Sequence, residues 1–355
     1  ALAGWTLLLG YGATFLACLA FLGFYLDRLL LHAGLPVAGA GGFLLGGLAC
    51  LELARRDVRL STRAMLVTES LSVLIVLALT LLVLRQGGPS ADLRALEPLG
   101  VSPQQVSSGL MVAVLSFIGF ESAANLSAEA LRPERMVPRA MRLAVLAAGV
   151  LFVLWAVVLP EGLGWLPRGE RFGLDAVSDL ADRLGHGGAG LWIRLGTFLC
   201  LFGSAMGSLN ALGRLAFSLA RDGVLPRRLG HLNPSSGSPA FALSAVALPL
   251  IGGGSALVAR GLSADQLFNV FGGFSVLAFL LVYGMVAVGA LRAELAGCSK
   301  RRRLLVSGCC LLAVSGVAAA YLAGVIQAQA PMLITFAVLL LLGLLRVRQA
   351  AAAAG

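Results

Sequence analysis

Two carboxylates set inside apolar runs are the residues of this chain best placed to do chemistry. Glu121 stands in Ser116-Phe117-Ile118-Gly119-Phe120-Glu121-Ser122, and Glu69 stands in Thr68-Glu69-Ser70-Leu71-Ser72. A carboxylate in apolar surroundings is costly unless it faces a cavity or a partner, so each marks a functional site by default. Gly119 weakens any helix that passes through it. If the helix breaks there, backbone N–H and C=O groups come free, which hydrocarbon tolerates only where they line a cavity and can hold a polar solute. The alternative is a glycine used for close packing, with Glu121 paired to a neighbour and braced through Ser122 or Asn125. Either way the chemistry on offer is binding and proton exchange. No HExxH, GxSxG or phosphate-loop pattern occurs, so an embedded protease, an acyl hydrolase or an ATP-driven pump has no support, and no enzyme is expected. Six cysteines without CxxC or Cys/His spacing read as small apolar fillers, and His32, His186 and His231 fall in or beside loops. Neither metal nor cofactor is implied.

The elements that must hold these residues are helices in a membrane. Of 355 residues 59% are hydrophobic and 12% charged, with mean hydropathy +0.92, against roughly 25% charged in soluble domains. Many runs reach the ~20 residues that span ~30 Å of hydrocarbon. A soluble fold and disorder are excluded, and unbroken stretches such as Leu71 to Leu84 do not alternate as barrel strands would. The fold class is therefore all-α, a polytopic helical membrane protein. Charge, Gly and Pro punctuation places about ten spans, at 4–26, 34–53, 64–84, 106–128, 140–160, 189–219, 240–259, 266–290, 304–325 and 330–346. Of the 27 Lys and Arg, eighteen fall in one set of alternate connections and seven in the other, with Arg194 and Arg214 inside the sixth span. The positive-inside rule makes the richer side cytoplasmic, so the first span runs outward and the C-terminus is inside. The net charge of +10 thus sets topology and does not point to nucleic acid. The run Lys300 to Arg303 adds affinity for anionic lipid. The opening at Ala1 has no basic n-region or cleavage site and does not read as a signal peptide.

The segment Ser116 to Arg139, which continues through Arg132-Pro133-Glu134-Arg135-Met136-Val137-Pro138-Arg139, resembles the sixth helix and following loop of the amino acid/polyamine/organocation transporters. Asn210 to Arg214, then Ala220-Arg221-Asp222-Gly223-Val224-Leu225-Pro226, Asn233-Pro234 and Ser238-Pro239 resemble that family's eighth helix and its signatures. The resemblance covers the whole chain as one transmembrane domain. It aligns 1–84 with family helices three to five, 106–290 with six to ten, and 304–346 with eleven and twelve, so the first two helices of the five-plus-five inverted-repeat fold are absent. The chain is expected to be N-terminally truncated, as a fragment or by nature.

The resemblance implies a secondary active transporter of the plasma membrane, moving an amino acid or related amine by alternating access. Substrate would sit at the break on the backbone of Ile118, Gly119 and Phe120, with Ser116 and Ser208 as side-chain contacts. Leu115 and Ser208 occupy positions where many members carry tryptophan, so a smaller pocket that includes Ser204 is expected, with close packing through Gly203 and Gly207 as the alternative. Gly12 lies where the family's third helix faces substrate. Glu121 is the candidate for proton coupling, since a carboxyl in a desolvated cavity can load and release a proton near physiological pH. Exchange without proton coupling, and a non-transporting subunit or sensor, remain as other readings. The coupling lysine of many members is replaced by Ser72. Glu69 lies six residues inside Arg63 and Arg214 seven inside Arg221, similar depths that predict an intramembrane Glu69–Arg214 ion pair; the alternative is that Arg214 snorkels to headgroups.

Overall fold

Long apolar runs satisfy their backbone in hydrocarbon as helices, and the computed structural model, which describes residues 1–35, 39–56, 58–87, 102–121, 132–166, 174–184, 188–233, 238–296 and 301–354, is built of them. In chain order the helices are α1 (Leu2–His32), α2 (Gly39–Arg56), α3 (Val58–Gly87), α4 (Pro103–Phe117), α5 (Pro133–Gly164), α6 (Ala176–Arg183), α7 (Ala189–Arg221), α8 (Ala240–Ala259), α9 (Ala264–Ala296), α10 (Arg301–Ala328) and α11 (Ala330–Ala354). A single 3-10 turn, Arg227–Gly230, lies between α7 and α8, and no strand occurs among the described residues. The chain is an all-α multi-pass membrane protein.

Eight of these helices are long and apolar enough to cross a membrane. Of the other three, α6 has only 8 residues, and α2 and α4 answer to the expected spans 34–53 and 106–128. The 18 residues of α2 end in Glu52, Arg55 and Arg56. In α4 there are 15 residues, because the helix stops at Phe117 instead of running on, and residues 122–131 lie outside the described set.

α1 is the hub. From Gly10 to Ala20 it is buried without interruption, as a helix enclosed on all sides must be, and α7 and α9 pack along its length. Phe15, Leu19 and Leu22 of α1 meet Phe43 of α2, Met206 and Leu209 of α7 and Ile251 of α8 in the largest core cluster. A second cluster joins α4, α9, α10 and α11 through Met111, Phe274 and Tyr321, and a third joins α3, α5 and α6 through Leu79, Val158 and Leu180. α5 shows Leu146, Val150 and Val153 to the outside, apolar surface that suits contact with lipid tails.

At one end of the bundle the short helix α6 ties α1 to α7. Asp175, before its first turn, takes Arg194 at 3.3 Å and Arg28 at 3.4 Å, and Arg194 also reaches Asp179 at 3.5 Å. Tyr25 donates to the Leu174 carbonyl at 2.6 Å, and the Gly190 N–H donates to Asp182 at 2.8 Å. Arg194, which sequence placed inside a span, is thus an end-of-helix residue with two acidic partners. At the other end, Ser238 donates to the Arg55 carbonyl at 3.0 Å and joins the start of α8 to the end of α2.

Candidate functional site

α4 starts cleanly. Ser102 accepts from the Gln105 N–H while the Gln105 side chain accepts from the Ser102 N–H, a capping box followed by Pro103 at the first helical position. Its end is equally defined. Ile118 turns to extended backbone (φ −62°, ψ 133°) and Gly119 takes φ +119°, a region closed to side chains with a Cβ. A Cβ added to Gly119 would touch nothing within 4 Å, so backbone conformation and not crowding requires glycine here. The break foreseen at Gly119 is present.

The carboxylate of Glu121 folds back onto this break. Gly119 N–H donates to Oε2 at 3.1 Å and Oε1 at 3.2 Å. Tyr11 of α1 donates to Oε1 at 2.6 Å, and Tyr283 of α9 donates to Oε2 at 3.2 Å. Three donors from three parts of the chain converge on one carboxyl, which in its ionised form offers acceptors to all of them. The rings behind the hydroxyls are held in turn. Tyr11, 2% exposed, stands edge-on to Phe279 with centroids 5.0 Å apart, and Tyr283 lies 5.9 Å from Phe120 and 6.0 Å from Phe279. One turn along α1, the Thr14 and Ser275 hydroxyls lie 2.5 Å apart, so that one donates to the other while the second donates to the Gly10 carbonyl, fastening α1 to α9. The arrangement is a latch: through Glu121 the end of α4 is held to both α1 and α9.

The remaining expected site residues divide among other places. Ser116 is exposed and donates to the Val112 carbonyl of its own helix at 2.8 Å, outside the latch. The Gly119 N–H expected for substrate is engaged by Glu121. Ile118 packs at the edge of the main core cluster, and Ser208 is buried within α7. Gly12 points away from the latch, towards Leu212 and Leu250, and lines an apolar cavity of about 790 Å³ between α1, α8, α9 and α11. Ser122 and Asn125 lie outside the described residues.

Glu69 and Ser204 do meet, in a second polar cluster where α3 crosses α7. Glu69 faces Cys200 and Ser204, and its carboxylate lies so close over Gly203 that a Cβ there would come 2.6 Å from Oε1. This corrects the expected Glu69–Arg214 pair. The antiparallel register sets Met65 against Gly207, Glu69 against Gly203 and Ile75 against Gly196. Arg214 is ten residues past Ser204, roughly 15 Å further along α7. Counting depth from Arg63 and Arg221 assumed that the two arginines share a plane, whereas α7 extends well beyond α3 at that end.

Tyr283 was missed by sequence reasoning, and Tyr11 was noted only together with Gly10 and Gly12, last in rank, as facing substrate. One signal was available: the chain has four tyrosines, and a mid-span hydroxyl needs a partner, as does a mid-span carboxylate.

Residues 39–345 match the family described as amino acid permease. The chain is similar to the vacuolar cationic amino acid transporter 4 of Arabidopsis thaliana, 28% identical over 137 residues, which is 38% of this chain and 22% of that protein. It is similar to the branched-chain amino acid permease BcaP of Lactococcus lactis subsp. cremoris, 32% identical over 148 residues, 40% of this chain and 31% of the relative. A methylthioribose transporter of Bacillus subtilis is 25% identical over 252 residues, 67% of this chain and 53% of the relative. In each case the match spans less than two thirds of the relative's length.

Proposed function

This chain belongs to the amino acid permease family, a family of transporters and not of enzymes, and on that premise we propose that it moves an amino acid or related amine across the plasma membrane by alternating access. The observation that carries the reading is Glu121 held between Tyr11 and Tyr283 at the end of a broken helix. Alternating access needs two packed bodies with a contact between them that can open and close. The latch supplies a contact that can open and close, between the broken end of α4 and the pair α1 and α9. α1 and α9 are fastened to each other independently of it, through Thr14 and Ser275, and α4 ends beside it on backbone that can swing at Gly119.

Substrate binds near Ile118, Gly119 and Phe120 in this reading, with Ser204 and Ser208 of α7 further along the path. Glu121 links a proton to the movement. Protonation turns one acceptor oxygen into a hydroxyl donor, so the carboxyl can no longer accept from Tyr11, Tyr283 and Gly119 together, and the latch loosens. The Lys and Arg distribution supports a cytoplasmic C-terminus.

The test is uptake of labelled amino acids and amines by the full-length protein in proteoliposomes, from acidic to neutral pH, with Glu121→Gln beside wild type. Glutamine keeps one acceptor and cannot titrate. Uptake by wild type that varies with pH, and that loses its pH dependence in Glu121→Gln, is the expected result. An unchanged pH profile in the variant removes the proton role, and absence of flux for every amino acid and amine removes the transport reading itself.

A further inference from the structure

Apart from the latch and the α3–α7 cluster, a groove runs between α9, α10 and α11. Its volume is about 740 Å³, and its walls are apolar except for Ser315 and a single charge, Arg292. On α9 the lining extends from Leu277 through Gly284 and Gly289 to Arg292, a rise of roughly 22 Å at 1.5 Å per residue. Ala318 of α10 and Phe336 of α11 close the other two sides. A Cβ on Gly284 or Gly289 would meet nothing within 4 Å, so the floor beneath the groove is open backbone. Arg292 stands exposed one turn from the end of α9, at the end of the bundle where Arg303 begins the membrane run of α10.

From this geometry we propose that the groove is a binding site for one anionic phospholipid, with an acyl chain along α9 and the phosphate on Arg292. Two observations select this occupant. The groove is longer than one leaflet, ~15 Å as half of a ~30 Å core, so it accepts a full acyl chain. Its one charge, Arg292, lies at an end, where a headgroup sits when the chain is buried. α11 shows Ile334, Val338, Leu341 and Leu345 to the outside, and a lipid in the groove joins α11 to α9 and α10. The site concerns the protein's placement in a membrane and stands or falls separately from the substrate reading.

Native mass spectrometry of the full-length protein, titrated with phosphatidylglycerol and with phosphatidylcholine of the same acyl chains, tests the proposal. Wild type should retain the anionic lipid about five-fold more tightly, the contribution of one arginine at an anionic headgroup. Arg292→Gln should bring phosphatidylglycerol down to the phosphatidylcholine level and leave phosphatidylcholine unchanged. Arg260→Gln, a control outside the groove, should keep the preference, and Gly289→Leu should weaken both lipids. Equal retention of the two lipids by wild type, or a preference that survives Arg292→Gln, overturns the proposal. So does loss of the preference in excess inorganic phosphate, which would show a free-anion site, and so does a second protein chain in place of lipid. Arg292→Gln alters no packed side chain, so the proposal remains testable if Gly289→Leu fails to fold.

Discussion

Replacing Tyr11 by phenylalanine removes one hydroxyl and nothing else of consequence. The ring is 2% exposed and packs edge-on to Phe279, so phenylalanine keeps that contact and opens almost no volume. The loss is one hydrogen bond of 2.6 Å to a carboxyl, and bonds to charged groups contribute about 1.5–3 kcal/mol. Glu121 keeps Gly119 and Tyr283 as donors, so it is not stranded, and the lower half of that range applies. At a factor of ten per 1.4 kcal/mol, the opening equilibrium of the latch should shift roughly ten- to thirtyfold. Hydrogen exchange reads this directly, because the Gly119 amide is protected by Glu121 only while the latch is closed. In Tyr11→Phe the amides of residues 118–121 should exchange about ten times faster or more, while amides in the middle of α1 stay as in wild type. Tyr283→Phe removes a longer bond of 3.2 Å and should accelerate the same amides by only a few-fold. Exchange within twofold of wild type in Tyr11→Phe, or a larger effect from Tyr283→Phe, would refute the latch as described.

Other expectations follow from particular backbone and packing positions. Gly119→Ala meets no atom within 4 Å yet must hold φ +119°, so it should cost about 1–3 kcal/mol in thermal unfolding. Gly109→Ala, equally free of contacts but inside α4, should stabilise by about 0.5–1 kcal/mol; similar signs for the two would disprove the backbone argument. Gly203→Ala forces the Glu69 carboxylate off α7 and should cost about 1–2 kcal/mol. Most of that should disappear when Glu69→Ala is added, and simple additivity of the two changes would show that they do not touch. Arg194→Gln breaks contacts with both Asp175 and Asp179 at a half-buried place, whereas Arg28→Gln breaks a single ion pair at an exposed one. The first should lower the melting temperature measurably and the second scarcely, and the reverse order would be evidence against the α6 clasp.

The parts legible in sequence were those with a local signature. Gly119 followed by Glu121 in an apolar run announces both a break and a buried carboxylate, and the structure has both. The ten-span reading followed from apolar length, but length cannot show where a helix stops short, and α4 ends eleven residues before the run that contains it was expected to close. Tyr283 could not be placed opposite Glu121, because nothing in a uniformly apolar helix such as α9 says which face meets which neighbour. Glu69 illustrates the same limit. Its cost inside a membrane was evident, whereas its partner depended on the register of α3 against α7, a long-range quantity that flanking arginines do not encode. Ser116 shows a local effect that spacing does not reveal: a helical serine with no better acceptor bonds back to the carbonyl four residues earlier.

The contact between Gly119 and Glu121 also bears on affinity. A carboxylate tethered two residues from a free backbone amide acts on it at an effective concentration in the millimolar range or higher. Any visiting anion that uses this amide therefore has to displace an internal one, and its apparent affinity is reduced by that competition. With its N–H held by Glu121, Gly119 in turn offers no unsatisfied donor that would hold a cargo indefinitely. Such a built-in rival favours release as well as capture, which suits a carrier that must let go on the far side of the membrane better than it would suit a receptor.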